Sequence, residues 1–233
     1  MIIKAIALIA LGFIVIGCGK YSINNTSNAY VFNQSLMADY QSLDRSLKKR
    51  RIEIRFTSGE SVNNCLDYLA EIKKSNVFDG INNAIHHSEY LACEVFDLLK
   101  SHNAITPKQK ISYGELLSSS LDLSSFPSSI NQESQVYGKT LQKLDPKNLK
   151  ISNYTVTRET DDWIYTIEVI AAGDLNNDGT NDLILWLNDQ AKNGNYHAYS
   201  TLVVPLYNSE KTLLATPYNE WESLSLLPAN PDG

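Results

Sequence analysis

Asp174, Asn176 and Asp178 stand two residues apart and Asp182 follows four positions later, all within the run Gly173-Asp174-Leu175-Asn176-Asn177-Asp178-Gly179-Thr180-Asn181-Asp182. Their side-chain oxygens fall at loop positions one, three, five and nine, and the Thr180 carbonyl falls at position seven. This spacing lets a short loop curl around one hard cation and present oxygen ligands on every side, which is the chemistry of a calcium site. Gly179, at position six, supplies a sharp turn that a residue with a Cβ resists. Three carboxylates with no lysine or arginine among them repel one another, and a divalent cation is the natural compensation. The expected cofactor is therefore a structural Ca2+ held by Asp174, Asn176, Asp178, Thr180 and Asp182.

The elements that must position this loop are strands. Residues 163–170 alternate apolar side chains before it, and residues 183–187 are apolar on both faces after it. An EF-hand needs a helix on each side and a bidentate Glu at position twelve, where this chain has Leu185. Gly173 to Leu183 instead resembles the FG-GAP or VCBS type of calcium-binding repeat, whose Gly-Asp-x-Asn-x-Asp-Gly-x-x-Asp-Leu signature joins two strands. Families with many copies build β-propellers from such blades. This chain carries one copy, from which a propeller does not follow.

At the N-terminus, Lys4 precedes an uncharged apolar run from Ala5 to Ile16, which is too short to span a bilayer and has the form of a signal-peptide core. Val15-Ile16-Gly17-Cys18 resembles the bacterial lipobox, which implies cleavage before Cys18 and acylation of that residue. Gly19 in place of Asp after the cysteine favours the outer membrane, by resemblance to enterobacterial lipoproteins. Several acyl chains on one residue exceed what stable anchoring in a lipid bilayer requires. Without residues 1–17 the chain has 19 basic and 26 acidic residues, a formal charge of −7, which argues against nucleic acid as a partner.

Cys65 and Cys93 remain, and an even pair in an exported chain reads as a disulfide, with two buried thiols as the alternative. Val62, Cys65, Leu66, Leu69 and Ile72 recur at helical spacing, as do Ile81, Ile85, Ala92, Val95, Phe96 and Leu99. The two segments form a helical hairpin in which the cysteines can face each other. A first helix is expected over residues 30–50, ending in Lys48-Lys49-Arg50-Arg51, which suits a helix C-terminus or an anionic lipid surface. Ile52, Ile54 and Phe56 suggest a short strand, with Ser61 as the N-cap that follows. Ser112 and Glu115 have the form of a capping box, and the Ser-rich stretch 118–129 reads as a loop held down by Leu121, Leu123 and Phe126.

Strand patterns occupy residues 149 onward. They form an antiparallel meander of three or four strands with a turn at Asn193-Gly194-Asn195 and an end or edge at Pro205. Leu213, Leu214 and residues 221–227 fold back as cover. The expected fold class is α+β: N-terminal helices including the disulfide-linked hairpin, then a small antiparallel β-sheet with the calcium loop in one hairpin. The expected divisions are a signal at 1–17, a lipidated cysteine and tether at 18–29, a mainly helical part at 30–105, an irregular connection at 106–148, the β part at 149–227 and a tail at 228–233.

No catalytic arrangement emerges. Gly-x-Ser-x-Gly, His-Glu-x-x-His and phosphate-cradling glycine loops are absent, and Ser46-Leu47-Lys48-Lys49 lacks the companion motifs of penicillin-recognising enzymes. His86 and His87 are adjacent, hence about 100° apart on a helix, and Glu89, His102 and His197 do not complete a zinc set with them. The paired acids Asp161-Asp162 and Asp174-Asp178 do not make a glycosidase site, because that chemistry needs one carboxyl held protonated in an apolar cleft and acids on a calcium ion stay ionised. The expectation is a non-catalytic, membrane-anchored periplasmic lipoprotein that binds another protein, in one version an immunity or inhibitor protein whose acidic surface opposes a basic toxin. The alternatives are an envelope structural or assembly factor and, less favoured, a hydrolase acting on an envelope polymer. Acids or histidines converging in a deep apolar pocket away from the metal would add weight to an enzyme.

Overall fold

A computed structural model describes residues 30–100, 111–206 and 212–225. The signal peptide, Cys18, the tether, His102 and the tail lie outside the described residues. In chain order the elements are β1 (Tyr30–Val31), α1 (Gln34–Tyr40), α2 (Leu43–Lys48), β2 (Ile54–Arg55), β3 (Ser61–Val62), α3 (Cys65–Glu71), α4 (Ile81–His87) and α5 (Leu91–Leu99). Then come α6 (Tyr113–Ser120), α7 (Ile130–Tyr137), α8 (Leu141–Leu144), β4 (Leu149–Ile151), β5 (Thr155–Glu159), β6 (Trp163–Gly173), β7 (Asp182–Ala191), β8 (His197–Val204), β9 (Thr216–Pro217) and α9 (Tyr218–Ser225). Among the described residues no helix is long and apolar enough to cross a membrane.

The mixed helical and antiparallel character is as expected, but the sheet is larger than a meander of three or four strands. Seven strands make it up, in the order β4-β5-β6-β7-β8-β9, with β1 paired to β6. The meander from β4 to β8 follows the alternation read from the sequence, and β8 ends before Pro205, which has no N–H to continue the ladder. The two additional strands are two residues each and come from opposite ends of the chain. Tyr30 and Val31 pair with Ala172 and Ala171 beyond the point where β5 stops, and Thr216 and Pro217 pair with β8.

Both faces of the sheet are covered. Ile170, Ile184 and Val203 pack with Phe56, Tyr68, Phe96 and Trp221, the layer built by α1 to α5 and α9. Ile167, Leu185 and Leu202 pack with Leu117, Leu123 and Ile130, the layer built by α6 to α8. Residues 106–148 are thus not an irregular connection: their described part folds into three helices that roof the second face. The continuous apolar run in β7 follows from burial on both sides.

Three local expectations are corrected. The single helix over residues 30–50 is divided. The Asn33 side chain caps α1 by accepting from the Leu36 amide at 3.1 Å, so the aromatic and β-branched residues before it are free to extend along β6. Ser42 then leaves helical geometry at ψ 41°, and the Ser46 hydroxyl satisfies the Asp39 carbonyl at 2.8 Å. Ser61 lies in β3 and caps nothing; Asn64 is the N-cap of α3, its Oδ1 accepting from Asp67 N at 3.0 Å. Ser112 flanks α6 without a side-chain capping bond, so the capping box does not close.

The disulfide joins Cys65, the first residue of α3, to Cys93 near the start of α5, with Cα atoms 5.2 Å apart. Residues 81–99 follow one helical path that tightens to a 3-10 turn at Ser88–Tyr90. Of the nine residues of α5, eight are buried, so this helix is the centre of its layer.

Candidate metal centre

The expected ligands occupy the connection from β6 to β7, the pair with the longest strands in the sheet. Gly173 closes β6 opposite Asp182, which opens β7, so the loop is anchored at both ends by one ladder pair. Leu175 points into the core at 2% exposure and holds the loop onto the body. The turn itself needs left-handed backbone at Asn177, φ 59°, and at Gly179, φ 85°. Asn tolerates that region better than most residues, and glycine carries no steric cost there.

The side chains turn inward and gather loop amides. Asp174 accepts from Asp178 N at 3.0 Å and from Gly179 N at 3.1 Å. Asn176 Oδ1 also accepts from Asp178 N, at 2.9 Å, and Asp178 accepts from Thr180 N at 2.7 Å. These local bonds hold the oxygens on the inside of the turn. An oxygen that accepts one amide retains a second lone pair.

Asp182 differs from the others because it is fully buried. Its Oδ2 accepts from Leu175 N at 2.9 Å and Asn176 N at 3.3 Å, while Oδ1 is buried with no hydrogen bond. Burial pushes this carboxyl up to about 7, the charge of Asp178 adds to the effect, and the Leu175 and Asn176 amides oppose it, as does the Leu206 amide, which is close but makes no hydrogen bond of ordinary geometry. A buried acceptor without a donor is costly, and an oxygen in that condition at loop position nine fits a hard cation. The donor chemistry also fits: three carboxylates, one amide oxygen and the Thr180 carbonyl are all hard ligands. Among the described residues, however, no group of three or more His, Cys, Asp or Glu is already gathered as a metal site. Leu185, at the twelfth position, is fully buried in β7 and has no part in the loop.

The other candidate residues lie apart. Asp161 and Asp162 are exposed at the opposite end of β6. Glu89 accepts from Ile52 N at 3.4 Å, and His197 opens β8. His87 does have a polar partner, the buried Tyr68 hydroxyl at 3.0 Å from Nε2. Tyr68 also donates to Glu94 Oε1 at 2.5 Å. Sequence reasoning passed over Glu94, although a signal existed: Glu94 and Asp97, one turn apart, are the only charged residues in the otherwise apolar α5. Acids buried in a central helix are seldom there for solubility.

Comparison with protein families, with characterised proteins and with solved structures gives no match. The resemblance to FG-GAP repeats therefore rests on Gly173 to Leu183, and the resemblance to lipoproteins on Val15 to Cys18.

Proposed function

We propose that this chain is a calcium-binding lipoprotein of the bacterial outer membrane, anchored in the bilayer through acylated Cys18 and facing the periplasm, that binds another protein without catalysing a reaction. The observation that carries the calcium part is the orphaned Oδ1 of buried Asp182 at the base of a loop of oxygen donors. Asp174, Asn176, Asp178, Asp182 and the Thr180 carbonyl would hold the ion, whose charge would offset the carboxylate repulsion and lock the β6–β7 hairpin. The anchor is supported by the N-terminal motif alone.

Protein binding is supported by apolar side chains on the outer surface of the α4 layer. Ile81 and Ile85, one turn apart on α4, are 57% and 47% exposed, and Phe78 just before them is 51% exposed. Exposed apolar groups of this size suit a partner surface. With a net charge of −6 for the whole chain, a basic partner is favoured, as an immunity or inhibitor role against a periplasm-acting toxin would require. An envelope assembly factor is the alternative within the same class.

The test is thermal melting of the full chain and of Asp178→Ala in matched calcium and chelator, followed by capture of envelope and secreted proteins in both conditions. Calcium should raise the melting temperature of the wild type only. Equal melting of the two proteins in calcium removes the structural ion. Capture of no partner in either condition removes the binding role.

A further inference from the structure

A cavity of about 230 Å3 lies between the α3–α5 layer and the β8–β9 end of the sheet. Ile72 and Val77 supply apolar wall, and Glu94, His87, Tyr199 and Tyr218 also line it. Pockets for drug-sized ligands run to roughly 300–1,000 Å3, so this one suits a smaller molecule. It shares no residue with the loop between β6 and β7.

Glu94 dominates its electrostatics. The carboxyl is almost entirely buried, at 5% exposure for the residue. The groups that face it are Tyr68 from α3, Thr201 from β8 and, on its own helix, Asp97, which accepts the Tyr218 hydroxyl of α9 at 2.7 Å. Lys73, from the segment after α3, and Lys100, just after α5, are the nearby cations, but both are directed to Asp97, Lys73 at 3.7 Å. Among the described residues no lysine or arginine lines the cavity. An anion entering it would meet the Glu94 carboxylate.

His87 does not supply the missing positive charge. Burial pushes it down to about 4, so the ring is neutral at physiological pH. The Tyr68 hydroxyl has one proton, and at 2.5 Å it is given to Glu94. The bond to His87, at 3.0 Å, then needs Nε2 to carry the hydrogen and Tyr68 to accept it. An ionised Glu94 therefore has a hydrogen-bonding partner and no counter-ion. The rings of Tyr199 and Tyr218 add surface that favours cations.

We propose that this cavity binds a small organic ammonium ligand, with Glu94 as its counter-ion and Ile72 and Val77 against its carbon skeleton. The ligand's positive charge replaces the solvation that Glu94 lost on burial. Burial raises Glu94 to about 7, with Asp97 adding to the effect and the neighbouring hydroxyls of Thr201 and Tyr68 opposing it. A bound cation pulls the carboxyl back down, so binding below pH 7 releases a proton.

The experiment is titration calorimetry on the full chain at pH 6 and pH 8.5, in two buffers of different ionisation enthalpy. The probes are methylammonium, ethanolamine and putrescine, with glycerol and acetate as neutral and anionic controls. Amines should bind at least tenfold more tightly than either control. They should release close to one proton per site at pH 6 and almost none at pH 8.5. Glu94→Gln, which keeps the shape and removes the charge, should lose both the preference and the proton release. Tyr199→Ala, at the cavity wall, should weaken binding and keep the proton release. Amines binding no better than glycerol, or binding Glu94→Gln equally well, would show Glu94 to be part of a structural hydrogen-bond network and overturn the site.

Discussion

Asp182 accepts a 2.9 Å hydrogen bond from the Leu175 amide across the base of the β6–β7 hairpin, so the buried carboxylate is tied to the same loop whose ion it would share. One of its oxygens is committed to the backbone and the other is unpartnered. Asp182→Asn preserves the shape and can still accept from Leu175, but it removes the charge that a calcium ion would meet. The expected result is a fold that melts cooperatively and gains no stability from calcium. Circular dichroism melts in calcium and in chelator measure this, and a calcium shift equal to that of the wild type would rule out Asp182 as a ligand.

The pair Glu94 and His87 should give an unusual pH profile. Glu94 titrates at about 7 when folded against 4.5 as an ordinary carboxyl, so the folded state keeps the extra proton and stability falls as pH rises through that window. His87 has the opposite sign: at about 4 when folded against 6.5 ordinarily, it costs stability as pH falls through that window. Between them the two effects offset over the mildly acidic range. Relative to wild type, Glu94→Gln should therefore gain stability steadily from pH 4.5 to 7, by roughly 3 kcal/mol at most. Urea denaturation at several pH values across that window reads the difference directly, and parallel curves for the two proteins would contradict it.

The disulfide closes a loop with a sequence separation of 28 between the first residue of α3 and the buried face of α5. Loop-closure entropy for that length amounts to roughly 3–4 kcal/mol. The double variant Cys65→Ala, Cys93→Ala should lose about that much in a denaturant titration. The same loss is expected for wild type under reducing conditions.

Ile184 and Leu185 are neighbours on β7, point to opposite faces and are both fully buried. Truncating either to alanine should cost about 2–5 kcal/mol, because each leaves a hole between the sheet and a helical layer. A sheet with one solvated face would make one of the two changes nearly neutral. Measuring both by chemical denaturation separates the three-layer arrangement from a two-layer one.

Gly114 sits in the first turn of α6, where the helix meets the β4–β5 turn. A Cβ there would lie 2.1 Å from the Ser152 carbonyl oxygen and 2.8 Å from that of Thr155. Alanine normally gains about 1 kcal/mol over glycine in a helix, but here the backbone of the turn must move. Gly114→Ala is expected to destabilise the protein, and a melting temperature at or above that of wild type would show that α6 can shift without cost.

Local patterns were legible in the sequence because their physics is local. Oxygen-donor spacing in the loop, the reversal at Asn193-Gly194, the alternation of β6 and the two-faced burial of β7 are each carried by residues close together in the chain, and the cysteine pair followed from parity in a chain read as exported. Position 30 illustrates the limit. Tyr30 and Val31 form a strand only because Ala171 and Ala172, 140 or more residues away, present an open edge beyond the end of β5, and a two-residue strand has no period to read. The same holds for residues 113–144, whose short helices carry weak patterns and become a layer by covering Leu183, Leu185 and Leu187.

The cluster of Tyr68, His87 and Glu94 belongs to the second kind. Its members are single residues on three different helices, separated by 19 and 26 positions from Tyr68. By itself the sequence determined where oxygen donors recur, which segments carry helical or strand periodicity, and which cysteines are available to pair. Only the tertiary structure decided that helices cover both faces of one sheet and that an acid, a tyrosine and a histidine meet at a cavity. The reason is physical: donor spacing is a property of one short backbone segment, whereas burial and its effect on a charge depend on whatever the rest of the chain packs around it.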